Sequence, residues 1–325
     1  MTMYKRLISA LVALGLGLST STSAADVGFD EYVSGLKVEA REKGISESII
    51  NSAFEGIQFI ERAVVADKNQ PERKLTLDEY LPRAVPAWKI AQANELYRQH
   101  QAVLDRVGRQ LGVQPRFIVA LWGVESNFGR LMGNYNVIEA LSTLAYEGRR
   151  EAFFRNQVMA ALEILDAGHI TPKKMKGSWA GAMGQPQFMP TSFLSFAVDG
   201  NKDGRIDIWE TEADVFASAA NYLHQSGWDD QYTWGRQVQL PSSLDADLFG
   251  VEKSKGRSLA EWQRLGVRRL NGQALPRVDI QAWLIQPDDN KGRAYLVYNN
   301  YQTLLKWNRS HYFALAVSHL ADQIR

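Results

Sequence analysis

Glu125 sits where an ionised carboxylate is least favoured. In the run Pro115-Arg-Phe-Ile-Val-Ala-Leu-Trp-Gly-Val-Glu125-Ser-Asn-Phe-Gly129, Phe117, Leu121 and Glu125 recur at helical spacing, with Ile118 and Trp122 on the same stripe. A helix of that period turns the glutamate toward its apolar face. Burial disfavours the charged form and raises the pKa, and the negative end of the helix dipole pushes the same way. A carboxyl group kept protonated near neutral pH is what a general acid requires.

Two further segments carry chemistry. Gly177-Ser178-Trp-Ala-Gly181-Ala-Met-Gly184-Gln185-Pro-Gln187-Phe-Met-Pro190 combines small residues, which let backbone approach a ligand, with two uncharged amides suited to sugar hydroxyls and acetamido groups. It lacks the Lys-Ser/Thr pair of a phosphate loop. Soon after it, Asp199-Gly-Asn201-Lys-Asp203-Gly204-Arg205-Ile206-Asp207-Ile-Trp-Glu210 fits the twelve-residue calcium loop. Asp199, Asn201, Asp203, Asp207 and Glu210 supply side-chain oxygens, Arg205 the backbone carbonyl, and Gly204 the turn. A single EF-hand-like loop predicts one structural Ca2+ rather than a paired sensor. The five histidines form no metal-protease or hydrolase signature, and no organic cofactor motif is present.

The elements that must position these groups are mostly helical. Apolar residues recur at i, i+3, i+4 near 29–43, 46–56, 86–112, 115–128, 137–147, 150–167, 211–226 and 310–324. The tract 236–298 instead alternates and is β-branched and aromatic between Gly, Pro, Asn and Asp turns, which predicts a small β-rich insert. The expected class is therefore mainly α (α+β), with helical parts over about 25–235 and 299–325. The chain has 325 residues, no cysteine and a formal charge of +1. Lys5-Arg6, the apolar run to Leu18 and the small residues to Ala25 predict a signal peptide over 1–24, hence a periplasmic protein. Removing it leaves 35 basic against 36 acidic residues. That balance excludes a nucleic-acid role, and the missing cysteine excludes disulfides, thiol catalysis and a lipid anchor on the membrane.

Gly123-Val-Glu125-Ser-Asn-Phe-Gly129 together with Gly181-Ala-Met-Gly-Gln-Pro-Gln187-Phe-Met-Pro190 resembles the membrane-bound lytic transglycosylase B family over roughly 29–325. The resemblance implies a lysozyme-like helical core with an α subdomain and the β insert. It also implies a peptidoglycan glycan strand as substrate, cut between N-acetylmuramic acid and N-acetylglucosamine without water, and other cell-wall enzymes as partners. It assigns Glu125 as sole acid/base, Ser178 as its hydrogen-bond partner and Gln187 as the ligand of the acetamido group. Tyr80 lines the cleft, Arg149 and Arg150 face acidic peptide stems or muramyl carboxylates, Tyr222 lies in the active site, and Asn308 contacts substrate. A hydrolytic muramidase shares the acid and the cleft. A non-catalytic calcium-stabilised glycan-binding protein is the reading from outside enzymology.

Overall fold

The computed structural model describes residues 24–68, 75–289 and 291–325, with side chains from residue 28 onward. The expected signal peptide lies outside the described residues, apart from its last residue. Among the described residues no helix is long and apolar enough to cross a membrane.

The helix Pro115–Ser126 runs through the centre of the molecule. Phe117, Ile118, Val119, Ala120 and Leu121 are all buried, so the helix is apolar on nearly every side, as a central helix must be. Around it pack Ala87–Gln99, Gln101–Leu111, Glu212–Gln225 and His311–Gln323, and the hairpin of Val137–Glu147 and Glu151–Asp166 joins the same core. The tract 86–112, read as one helix from its period, is two, parting at His100. No Gly or Pro marks the break. The His100 ring lies edge-on to Trp122 at 5.7 Å and to Phe216 at 5.3 Å, so tertiary packing decides it. Leu77–Ala84, which carries Tyr80, is a helix the period did not reveal, being short and interrupted by Pro82.

The β-rich insert contains an antiparallel five-stranded sheet, ordered Arg257–Ser258, Gln281–Ile285, Ala294–Val297, Gly235–Gln239, Arg268–Arg269. Its period-2 alternation divides the side chains between two cores. Trp283 opposite Val297 and Ile285 opposite Tyr295 face the helical core, whereas Leu284 opposite Leu296 faces outward. The outward residues meet a second cluster with Leu259, Trp262, Val267 and Leu275. Both faces are thus covered, and one of them fastens the insert to the helices. Mainly α with a small β part is the class the sequence led us to expect.

Candidate active site

Glu125 lies in the last turn of its helix, which then reverses through three consecutive left-handed residues, Asn127, Phe128 and Gly129. The reversal folds the Phe128 ring back over the helix, edge-on to Trp122 at 5.4 Å. Gly123 permits this, because a Cβ there would lie 2.6 Å from the Phe128 ring. Ser126 Oγ accepts the Gly129 N–H at 2.9 Å and closes the turn. Gly129 in turn leaves room for Gln185, whose Oε1 a Cβ would meet at 2.5 Å. The glycines of the Gly-Val-Glu-Ser-Asn-Phe-Gly motif are thereby explained by close approach.

Glu125 is open to solvent at one edge and enclosed by protein on its other sides. Desolvation pushes its pKa up to about 8, against the opposing effect of a hydrogen bond from Trp307 Nε1 to its Oε1 at 2.6 Å. Trp307 is held from behind by Tyr222, whose ring centroid is 4.6 Å away and whose hydroxyl donates to the Lys306 carbonyl at 2.8 Å. Nothing in the sequence reading assigned Trp307 a role, although it opens the same segment as Asn308. Tyr222 reaches the site through that indole. Asn308 is exposed, and its Oδ1 accepts the Ser310 N–H at 3.0 Å, leaving its amide nitrogen toward solvent.

The two glutamines separate. Gln185 is buried, accepting from Trp122 Nε1 at 2.6 Å and donating to the Trp209 carbonyl at 2.9 Å, so it ties the second motif to the glutamate helix and does not present itself to a ligand. Gln187, at φ 52°, spends its amide nitrogen on the carbonyls of Gly184 and Met132, at 2.8 and 3.1 Å. Its Oε1 is left to accept an N–H, the group an acetamide offers. The expected bond from Ser178 to Glu125 is not made here. Ser178 Oγ accepts instead from the Ala180 and Ala182 N–H groups of its own turn, at 3.3 and 3.0 Å.

Tyr80 is half-buried, and burial with the nearby Glu125 charge raises its pKa, which sets it beside the acid. It meets Tyr312 edge-on at 5.3 Å, and both line an open cavity of about 630 Å³ with Thr76, Pro287 and Asp288. Asp288 comes from the β insert. Its carboxylate accepts the Leu77 N–H at 3.0 Å and the Tyr312 hydroxyl, so the insert holds the N-terminus of the Tyr80 helix. Arg149 and Arg150 both pair with Asp67, which is buried, each at 2.9 Å by Arg149 Nε and Arg150 Nη2. Their side chains remain about half exposed.

The calcium-type loop has Gly204 in the left-handed region at its sixth position, as such a loop requires. Asp199 accepts the N–H groups of Lys202, Asp203 and Gly204, and Asp203 that of Arg205. The buried Asp214 ties the loop's ends together through Gly200 and Asp207 N–H at 2.8 and 2.7 Å. Asp207 pairs with Arg205 at 2.9 Å, and Glu210 turns to Lys174 at 3.2 Å. Among the described residues no three acidic or histidine side chains converge on one point. The oxygen donors are of the right kind and order; the second half of the loop faces the protein's own cations.

The family described as Transglycosylase SLT domain matches residues 28–322. The membrane-bound lytic murein transglycosylase B of Escherichia coli (strain K12) is 32% identical over 235 residues, 70% of this chain and 62% of that protein, so the match spans less than two thirds of the relative's length. SltB3 from Pseudomonas aeruginosa, solved in complex with NAG-anhNAM-pentapeptide, superposes with a TM-score of 0.87 at 42% identity, covering 90% of this chain and 78% of that one. The Escherichia coli lytic transglycosylase Slt35 in complex with calcium gives 0.77 at 25% identity over 92% of each chain. The fold these share is mainly α with a lysozyme-like helical core, and the chain belongs to the transglycosylase SLT domain family.

Proposed function

We propose that this chain is a peptidoglycan lytic transglycosylase that cleaves the bond between N-acetylmuramic acid and N-acetylglucosamine. The observation that carries the reading is one carboxyl group, Glu125, protonated up to about pH 8 and oriented by Trp307. Glu125 first gives its proton to the leaving glycosidic oxygen. The muramyl acetamide oxygen then closes on C1, which removes the need for a second carboxylate. Gln187 Oε1 accepts the N–H of that acetamide and holds it in place. Glu125, now ionised, takes the proton of the muramyl C6 hydroxyl as its oxygen attacks C1. The proton returns to the enzyme and a 1,6-anhydro end leaves. An internal nucleophile fixed beside C1 outcompetes water through its effective concentration.

The other assignments follow the same reading. Arg149, Arg150 and Asn308 bind the strand at its rim, and Ser178 donates its hydroxyl hydrogen within the site. Asp199, Asn201, Asp203, Asp207 and Glu210, with the Arg205 carbonyl, would hold a calcium ion, which supplies structural charge neutralisation and no catalytic step. The helical parts and the 236–298 insert form one catalytic region, exported to the periplasm, where cell-wall enzymes are its neighbours. The test is the mass of products from purified glycan strands. Anhydro ends support the proposal, and products heavier by one water reveal a hydrolytic muramidase. No cleavage at all leaves the non-catalytic glycan-binding reading.

A further inference from the structure

The charge that balances out over the whole chain is concentrated in one part of the insert. Residues 257–277 contain five arginines and a single acid, Glu261. Glu261 is committed to Ser258 in a capping box, accepting both its N–H and its hydroxyl. Arg264, Arg268 and Arg277 line an open groove of about 790 Å³ between the helix Leu259–Arg264 and the segment 275–279. Gln263 Oε1 fastens the two walls by accepting the Leu275 N–H at 2.7 Å, and the buried Leu259 and Leu275 form the floor. Arg268 is anchored by one nitrogen on the carbonyls of Gln263 and Val267, at 2.7 and 2.9 Å. Arg264 and Arg277 are exposed and enter no ion pair among the described residues. Val278, exposed at 48%, also lines the groove.

We propose that this groove is a second polymer-binding site, which takes the carboxylate-bearing peptide stems of the strand that the Glu125 site cleaves. Guanidinium groups match carboxylates as planar forks, and an open trough admits an extended peptide. Val278 and Pro276 give small aliphatic side chains a place to rest. Asp279, the one acid lining the groove, offers an ammonium group its partner, which suits a peptide of mixed charge better than a polyphosphate. The floor belongs to the outer core, so the sheet separates this groove from the glutamate helix. A strand held in both places gains by effective concentration rather than by any new contact at the acid.

The proposal rests on the peptidoglycan reading, and the test separates the two. Full-length protein bearing Glu125→Gln, which leaves the polymer uncut, is sedimented with insoluble peptidoglycan and with the same material stripped of its stems by an amidase. Adding Arg264→Gln and Arg277→Gln is expected to weaken binding to the peptide-bearing polymer about tenfold. Binding to stripped glycan stays the same, and Arg264→Lys with Arg277→Lys keeps most of the affinity. In the otherwise native chain the same two Gln changes leave cleavage of short soluble glycan fragments unaltered. Equal binding by the Gln variant, equal loss on stripped glycan, or a loss seen only with anionic phospholipid vesicles overturns the groove. If the native chain binds through the groove and cuts nothing, the groove stands and the enzymatic reading falls.

Discussion

Trp307 Nε1 donates to Glu125 Oε1 at 2.6 Å across a separation of 182 residues. The bond favours the ionised carboxylate, while burial favours the neutral acid, and burial wins. The proposed acid/base, which would give a proton and then take one back, is served by such opposition, since neither form is held far below the other.

The first expectation concerns Glu125→Gln. Cleavage should be abolished, and the variant's stability relative to the native chain should increase as pH rises. The native carboxyl has its pKa raised from 4.5 to about 8, so the folded state holds a proton that the unfolded state releases between those values. Native stability therefore falls as pH rises through that window, and the Gln variant escapes the fall. Melting curves at pH 5 and pH 8 should diverge by about 2–4 kcal/mol at the higher pH. Parallel behaviour at both would place Glu125 in water.

On the proposed mechanism, kcat/KM of the native chain should decline above about pH 8, as Glu125 loses the proton it would donate. Trp307→Phe removes the donor that lowers the Glu125 pKa and should move this limb to higher pH. We expect a drop in kcat of roughly tenfold, the scale of a positioning hydrogen bond to a charged group. An unmoved limb would show that the indole only fills space.

Asp288→Ala should cost about 1–3 kcal/mol, because the Leu77 N–H loses its side-chain acceptor and the Tyr312 hydroxyl keeps only the Leu75 carbonyl. Tyr80 rides on that helix, so KM should rise more than kcat falls. Thermal unfolding with steady-state kinetics on glycan strands checks both halves of the statement.

Calcium should raise the melting temperature and a chelator should lower it, as for any ligand bound only by the folded state. Glu210→Gln should blunt the response, since binding requires Glu210 to leave Lys174. A melting temperature indifferent to both additions would make the Asp199–Glu210 loop a plain turn.

The parts of the site that are local were legible in the sequence. Glu125 declared its face through Phe117 and Leu121, because a helix repeats and one window contains all three. Gln185 and Gln187 look alike in the chain, and only the left-handed turn at Gln187 sends one amide inward to Trp122 and leaves the other its free oxygen. Trp307, Asp67 and Asp288 act across long separations, and periodicity has no record of which distant donor or acceptor arrives. The break at His100 was hidden for the same reason: aromatic neighbours from two other helices create it.

The sheet of the insert has separate cores on its two sides, and this shapes how the molecule opens. Among the described residues, the layer of Leu259, Trp262, Val267 and Leu275 forms a buried cluster separate from the one around Pro115–Ser126, with the strands between them. It is placed to unfold and refold as its own cooperative unit, with amide protons exchanging sooner than those of the central helix. A protease that finds this layer open would nick the insert's outer side while Glu125 stayed enclosed.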